Sequence, residues 1–257
     1  MPTDADSPRV VADDYDGIAI EALRQRIGVP RLAAFASIGS TQDVAHELAA
    51  AGAVAGTLVL AEAQSAGRGR AGRLWQSESG AGVWMTMVER PRDVRALDVL
   101  SLRVGLALAA ALDELAGDRI ALKWPNDLYL RGRKLAGILV EARWRDGLPE
   151  WIAIGVGINV RAPESEPVAI GLASTASRLA VLERCVPAVH AAAVAEGRLR
   201  SDELREFASR DCAKGRQCVS PVAGVVQGID QSGALVVAIG SETTAVRSGS
   251  LVFTEEG

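Results

Sequence analysis

The chain has 257 residues, of which 49% are hydrophobic, and this is enough to bury a large core, with one large and one small domain as a fair expectation. Its formal net charge of -4 argues against a general nucleic-acid-binding protein, because such proteins normally present a basic surface. The three cysteines form no C-x-x-C pair. The two histidines support neither a histidine metal site nor a Ser-His-Asp triad. We expect both at ordinary helical positions, His46 on the surface and His190 in a structural role.

The predicted elements divide the chain into a tail, an α+β domain and a small β domain. Residues 1–14 are polar and acidic and are predicted to be disordered, and the region lacks the features of a signal peptide, so we expect a cytoplasmic protein. Apolar periodicity and turn residues predict a largely antiparallel mixed sheet flanked by helices over 15–210, and glycine-punctuated β-strands over 211–257. The predicted helices are 18–27, 41–51, 97–115 and parts of 174–208; the predicted strands are 32–38, 57–62, 83–88, 120–124, 128–130, 135–143 and 151–160.

The most informative stretch is residues 67–73, called the Gly/Arg loop, in which three glycines alternate with three arginines. Glycine permits a close approach of the backbone to a ligand, and arginine can bind a carboxylate or phosphate with two parallel hydrogen bonds. A solvated linker or a nucleic-acid-binding segment is the alternative, but such segments usually come as long repeats. The single short run after a predicted buried strand favours an anion-binding loop beside a pocket.

A second constellation runs from the Lys-Trp-Pro-Asn-Asp-Leu stretch at 123–128 to the strand that begins near Lys134. Lys134 can direct its ammonium group to a carboxylate or phosphate, or it can be a solvated lysine at a hairpin end. Gly137 favours the functional interpretation because glycine in a strand often marks a close approach. Asp127 can either cap the turn or lie near a magnesium-bound phosphate.

Two shorter motifs complete the candidate site. In the Gly-Val-Gly-Ile-Asn stretch at 155–159, the two glycines indicate either a ligand near the backbone or tight packing, and Asn159 offers both a donor and an acceptor. The Ser-Thr-Gln stretch at 40–42 can cap a helix, hydrogen-bond a small polar ligand, or do both.

Taken together and in this order, the four motifs resemble the catalytic core of biotin protein ligases, strongly over 18–160. The small β module resembles, more weakly, the SH3-like C-terminal domain of that family. The resemblance implies a class II synthetase-like biotin/lipoate ligase core and a reaction in two steps. Biotin and MgATP form biotinyl-5′-AMP, and the biotinyl group then passes to one lysine of a biotin carboxyl carrier domain of acetyl-CoA carboxylase or a related carboxylase.

The resemblance also implies roles for individual residues, with no metal ligand from the protein itself. Lys134 and Arg70 are the implied catalytic residues, since their charges would offset repulsion between the biotin carboxylate and the α-phosphate. The other residues implied to bind biotin are Ser40, Thr41, Gln42, Gln64, Arg68, Gly69 and Gly137. The residues implied to face ATP or the adenylate are Gly67, Arg70, Arg73, Trp75, Lys123, Asn126, Asp127 and Asn159.

The sequence departs from the family pattern at three places. Gln42 stands where the family usually has asparagine, residues 161–174 resemble a plain loop, and the C-terminal module is short. The segment before Ile18 is too short for the DNA-binding domain of bifunctional relatives, so we expect a monofunctional enzyme that binds neither nucleic acid nor membrane and is a monomer or weak homodimer. A lipoate–protein ligase and a non-catalytic biotin-binding paralogue are the alternatives.

Overall fold

A computed structural model describes residues 9–91, 93–163, 166 and 168–254. Its strands are β1 (Val10–Val11), β2 (Asp14–Tyr15), β3 (Ile18–Ala19), β4 (Leu32–Ser37), β5 (Thr57–Ala61), β6 (Gly82–Glu89), β7 (Ala121–Lys123), β8 (Asp127–Leu130), β9 (Arg133–Arg145), β10 (Leu148–Asn159), β11 (Gln217–Ser220), β12 (Gly224–Ile229), β13 (Leu235–Ile239), β14 (Glu242–Val246) and β15 (Val252–Phe253). Its α-helices are α1 (Ile20–Ile27), α2 (Thr41–Ala50), α3 (Val94–Leu97), α4 (Leu100–Ala116), α5 (Arg178–Ala193) and α6 (Ser201–Arg210), and a 3-10 turn spans Arg70–Gly72.

Eight strands form the large sheet in the order β1-β4-β5-β6-β10-β9-β8-β7. All neighbouring strands are antiparallel except β4 and β5, which are parallel. Helix α2 connects these two strands, so the chain returns to the same end of the sheet before β5 begins. The predicted class of a mixed, largely antiparallel sheet flanked by helices is therefore confirmed. The long hairpin of β9 and β10 lies within this sheet. Residues in the middle of both strands line the site described below.

Helix α4 packs against one face of the large sheet. Val104, Leu108 and Leu112 recur at four-residue spacing and are completely buried, which is the pattern of a helix with one side in a core. On the other face, α2 contributes Val44 and Ala45 to a smaller cluster with residues of the central strands. The site lies beside this second cluster, where α2 begins.

The five-stranded sheet has the order β14-β13-β12-β11-β15 and confirms the predicted SH3-like C-terminal unit. It contacts the large domain through Trp124, whose indole Nε1 donates a hydrogen bond to the carbonyl of Gly233 at 3.0 Å. Gly233 also lies against the side chains of Val99 and Leu102 near the start of α4. The boundary predicted between 210 and 211 stays a prediction.

The N-terminal region differs from the predicted disordered tail where it is described, and residues 1–8 lie outside the described part. Val10 and Val11 pair with β4, and Arg9 forms an ion pair with Glu47 on α2. The predicted tail is thus wrong for residues 9–14, because their partners lie on distant elements that composition does not reveal. None of the described helices is long and apolar enough to cross a membrane.

Candidate functional site

A cavity of about 390 Å³ opens where the start of α2, the Gly/Arg loop, the middle of β9 and β10, and residues 250–253 meet. Most of the predicted site residues line it together: Ser40, Thr41, Gln42, Gln64, Arg68, Gly69, Arg70, Arg73, Trp75, Lys123, Asn126, Asp127, Lys134 and Gly137. The motifs are far apart in sequence, so their convergence is a property of the fold. Their individual roles toward a ligand stay predictions.

Polar groups at the start of α2 form one end of the cavity. Ser40 is the N-cap residue of the helix, and its hydroxyl accepts a hydrogen bond from the backbone N–H of Gln42. The side-chain oxygen of Gln64 accepts from both the backbone N–H of Thr41 (2.7 Å) and its hydroxyl (3.0 Å). Capping and cavity lining therefore coexist, and a fixed set of neutral donors and acceptors faces the cavity.

Gln42 is buried and firmly held in the wall. Its amide nitrogen donates to the carboxylate of Glu141 and to the carbonyl of Ala153, both at 3.2 Å, and its oxygen accepts from the hydroxyl of Thr86 at 3.2 Å. A Cβ on Gly155 would lie 2.6 Å from that oxygen, so the glycine leaves room for the glutamine. The unusual residue of the motif is thus accommodated by Glu141, Ala153 and Thr86, none of which was predicted to contact it.

Trp75 lies on a platform of two glycines. Gly137 of β9 and Gly157 of β10 are register partners, and a Cβ on either would come within 2.9 Å or 2.5 Å of the indole, respectively. The indole Nε1 is buried and has no hydrogen-bond partner within the described residues. Leaving a buried N–H unpaired costs about 1–3 kcal/mol, and no hydrogen bond from the described residues offsets this cost.

Lys134 projects its ammonium group over this platform. Its Nζ lies 2.8 Å from Oδ1 of Asp127 and 5.2 Å from the Trp75 ring. The ammonium group is the partner of that oxygen, which accepts no hydrogen bond from other described residues. The lysine is only a third exposed, which strengthens its field in the cavity.

Among the described residues, the hydrogen-bond partners of Arg70 are neutral. Its Nη1 donates to Oδ1 of Asn126 at 3.2 Å, and its Nη2 donates to the carbonyl of Gly249 at 3.3 Å. Burial lowers the pKa of its guanidinium from the ordinary value, although arginine stays charged at neutral pH. Its charge is therefore available to an anion, as the predicted catalytic role requires.

Lys123 lies among aromatic rings, its Nζ 5.5 Å from the centroid of Tyr129 and 5.0 Å from that of Phe253. Burial lowers the pKa of its ammonium group, with the charge of Asp127 opposing the shift. Neither ring was predicted to be part of the site. No local pattern could identify Phe253, which comes from the other sheet.

Arg68 differs from Arg70 because it is already engaged by two carboxylates. Its Nη1 lies 2.6 Å from Oδ1 of Asp43, and its Nη2 lies 2.6 Å from Oε1 of Glu141. His46 is not the plain surface position predicted: its Nε2 lies 3.0 Å from Oε2 of Glu141. Its Nδ1 accepts a hydrogen bond from the indole of Trp151 at 2.9 Å.

Two predicted residues, Gly67 and Asn159, are not in the cavity wall. Gly67 shapes the loop instead, since its carbonyl accepts from the N–H of Trp75 at 2.8 Å and a side chain would meet the Trp75 carbonyl. Asn159 is buried at the end of β10, where its carbonyl accepts from the N–H of Leu172. Across the described residues, no group of three or more His, Cys, Asp or Glu side chains could hold a metal ion.

Comparison with known proteins supports this picture. Residues 34–159 match the model of the biotin/lipoate A/B protein ligase family. A biotin–[acetyl-CoA-carboxylase] ligase of Mycobacterium tuberculosis is 32% identical over 88% of this chain and 90% of its own length. The bifunctional ligase/repressor BirA of Bacillus subtilis is 43% identical, but the match spans 48% of this chain and 38% of BirA, so the chain spans well under half of that relative.

A solved structure shows the same fold. The biotin protein ligase from Aquifex aeolicus in complex with biotin and ATP has a TM-score of 0.70 and 24% identity, and the match covers 88% of this chain and 100% of that one.

Proposed function

The chain belongs to the biotin/lipoate A/B protein ligase family, and on this premise we propose that it is a biotin–[acetyl-CoA-carboxylase] ligase. One observation carries the proposal: Lys134 and Arg70, two cations suited to a pair of anions, line the same cavity as the polar groups of Thr41 and Gln64. A site for a neutral polar ring at one end and a carboxylate at the other fits biotin.

In the first step, the biotin carboxylate attacks the α-phosphate of ATP and pyrophosphate leaves. Both reactants are anionic, so bringing them together requires fixed positive charge. Lys134 and Arg70 supply it from the protein, and Mg²⁺ arrives with ATP as part of the substrate complex. Ser40, Thr41 and Gln64 hold the ureido end, which orients the carboxylate toward the cations.

The adenylate occupies the remainder of the cavity. The Trp75 ring and the edge formed by Lys123, Asn126 and Asp127 provide an aromatic surface with polar groups beside it. The Gly/Arg loop and residues 250–253 bound this region, so water has restricted access to the reactive anhydride.

In the second step, the amine of a lysine on a carrier domain attacks the biotinyl carbonyl. The new amide bond forms as the bond to AMP breaks, and the amine loses its proton. The partner supplies the nucleophile, and this chain supplies position and charge. We propose the biotin carboxyl carrier domain of a carboxylase as that partner, while the cytoplasmic location and the oligomeric state stay predictions.

The test is intact-mass spectrometry of a carrier domain incubated with this protein, ATP, Mg²⁺ and an equal mixture of biotin and lipoate. We expect one biotinyl group per carrier, and none on a control carrier whose acceptor lysine is replaced by arginine. Lipoyl transfer alone would contradict the biotin assignment. Binding of biotin without transfer would indicate the non-catalytic paralogue.

A further inference from the structure

We propose that Glu141 is a positioning residue that holds the Gly/Arg loop over the cavity by binding Arg68. Its consequence for turnover rests on the proposed ligase function, but its consequence for the loop does not. Glu141 lies on β9, in the strand of the second constellation, where the sequence motifs gave it no role.

The contacts of Glu141 join three separate parts of the site. One carboxylate oxygen lies 2.6 Å from Nη2 of Arg68 in the loop. The other accepts from Nε2 of Gln42 at 3.2 Å and lies 3.0 Å from Nε2 of His46, both on α2. One side chain therefore ties the loop to the sheet and to the helix that begins at the cavity.

Glu141 is itself held in place on the α2 side. The Nδ1 of His46 accepts from the indole N–H of Trp151, which leaves Nε2 of the neutral ring to donate to Glu141. The His46 hydrogen bond, together with the Arg68 charge and the Gln42 hydrogen bond, keeps the pKa of the carboxyl below its ordinary value despite burial. The group that meets Arg68 is thus an oriented carboxylate.

The two arginines of the loop then have different tasks. Arg68 has its charge balanced by Glu141 and Asp43, whereas Arg70 has neutral partners. The Asp43 side chain is 55% exposed and that of Glu141 is 29% exposed, so water weakens the Asp43 pair more. Glu141 is therefore the stronger anchor, and Arg68 acts as the attachment of the loop to the sheet.

Limited trypsin digestion without substrates tests the attachment directly. The cleavage rate after Arg70, followed by mass spectrometry, reports how often the loop opens. We expect Glu141→Gln to raise this rate about fivefold, as for the loss of one partly buried ion pair. Glu150→Gln is the matched control, because Glu150 lies on β10, is 27% exposed and pairs with one arginine, Arg145; its rate should match the wild type.

A double-mutant cycle separates this role from general destabilisation. Arg68→Gln should raise cleavage after Arg70 by a similar factor, and adding Glu141→Gln should raise it no further, because the shared contact is already lost. Additive effects, or unchanged cleavage in Glu141→Gln, would overturn the proposal. If Glu141→Gln unfolds, Arg68→Gln is compared with Asp43→Asn, which removes only the other carboxylate that binds Arg68. Unchanged cleavage in Arg68→Gln, or equal cleavage in the two variants, overturns the proposal, and faster cleavage in Arg68→Gln than in Asp43→Asn supports it.

The turnover measurement connects the attachment to the proposed function. We expect Glu141→Gln to release biotinyl-5′-AMP about fivefold faster than the wild type, in step with loop opening. An inactive wild-type protein with the expected cleavage pattern would contradict the ligase proposal and leave the attachment standing. Normal ligase activity in the wild type, with unchanged cleavage in Glu141→Gln, would support the ligase proposal and overturn the attachment.

Discussion

The ring of Phe253 lies 5.0 Å from Nζ of Lys123, so the C-terminal sheet contacts the cavity of the large domain directly. The guanidinium of Arg216 lies 3.6 Å from the same ring, and two cations therefore share one aromatic side chain. Since Lys123 lines the cavity, Phe253 fixes the position of a charge that we assign to the ATP end.

We predict that Phe253→Ala raises the KM for ATP roughly fivefold in biotin-dependent ATP–pyrophosphate exchange, because Lys123 loses its aromatic neighbour and the cavity wall is shortened. Phe253→Tyr should keep the wild-type value. Ile239→Ala is the control, since Ile239 is 45% exposed on the same sheet and does not line the cavity. An unchanged KM in Phe253→Ala would show that the ring contact has no part in ATP binding.

We predict that Lys134→Ala lowers the kcat of pyrophosphate exchange by roughly 100-fold, because the transition state loses a fixed cation and Asp127 keeps an unbalanced negative charge. Arg133→Ala, an exposed neighbour on the same strand, should stay near wild type. Adding Asp127→Asn to Lys134→Ala removes the unbalanced negative charge, and this should recover only a small part of the lost kcat. Near-normal exchange in Lys134→Ala would refute its catalytic role.

We predict that Gly157→Ala lowers the free energy of unfolding by roughly 1–3 kcal/mol, as overpacking does, because the new methyl group would lie 2.5 Å from the Trp75 indole. Urea unfolding measures the loss, and the same substitution should cost less in a Trp75→Ala background. Gly105→Ala is the control. Gly105 lies on α4, and a Cβ there would be no closer than 3.5 Å to its neighbours, which is ordinary van der Waals contact. Equal losses in both backgrounds would contradict the close contact.

We predict that Glu89→Gln stabilises the protein more at neutral than at acidic pH. Glu89 is buried beside His190, and burial raises the pKa of its carboxyl above the ordinary 4.5. The folded state therefore binds this proton more tightly than the unfolded state, and the stability that Glu89 contributes falls as pH rises from the unfolded pKa through the folded one.

Glutamine does not titrate, so the stability of the variant relative to wild type should increase across that pH range in urea unfolding. Glu150→Gln is the control for loss of one negative charge. A constant difference between Glu89→Gln and wild type across the range would contradict the raised pKa.

Local sequence patterns predicted the main elements because most of them follow the apolar periodicity of one buried face. The helix α4, predicted over 97–115 and observed at Leu100–Ala116, is an example. The pairing of Val10 and Val11 with β4 could not be predicted, since short exposed segments have no periodic signal. The parallel pairing of β4 and β5 likewise depends on the path of α2 rather than on either strand.

In the candidate site too, local motifs were predictable from the sequence, whereas contacts between distant elements were not. Residues in compact motifs, such as Arg70 and Lys134, were identified because glycine and charge are unusual in those positions. Glu141, Thr86 and Phe253 were missed, because an ordinary residue on a strand becomes part of the site only through contacts made across the fold. Asn159 is the opposite case, since it stands in a suggestive motif but is buried at the end of β10 and does not line the cavity; its predicted role toward ATP stays a prediction.

The residues that line the cavity extend along the chain from Ser40 to Phe253. During synthesis, the residues on one side of the cavity are therefore made well before those on the other side. When β10 has emerged from the ribosome, the sheet and its cations can assemble, but the site stays open on the side that Gly249 and Phe253 later cover. An intermediate at that stage lacks the part of the cavity wall that residues 250–253 supply, so the cavity is open on that side. The cavity is therefore complete only once residues 250–253, close to the end of the chain, have been made.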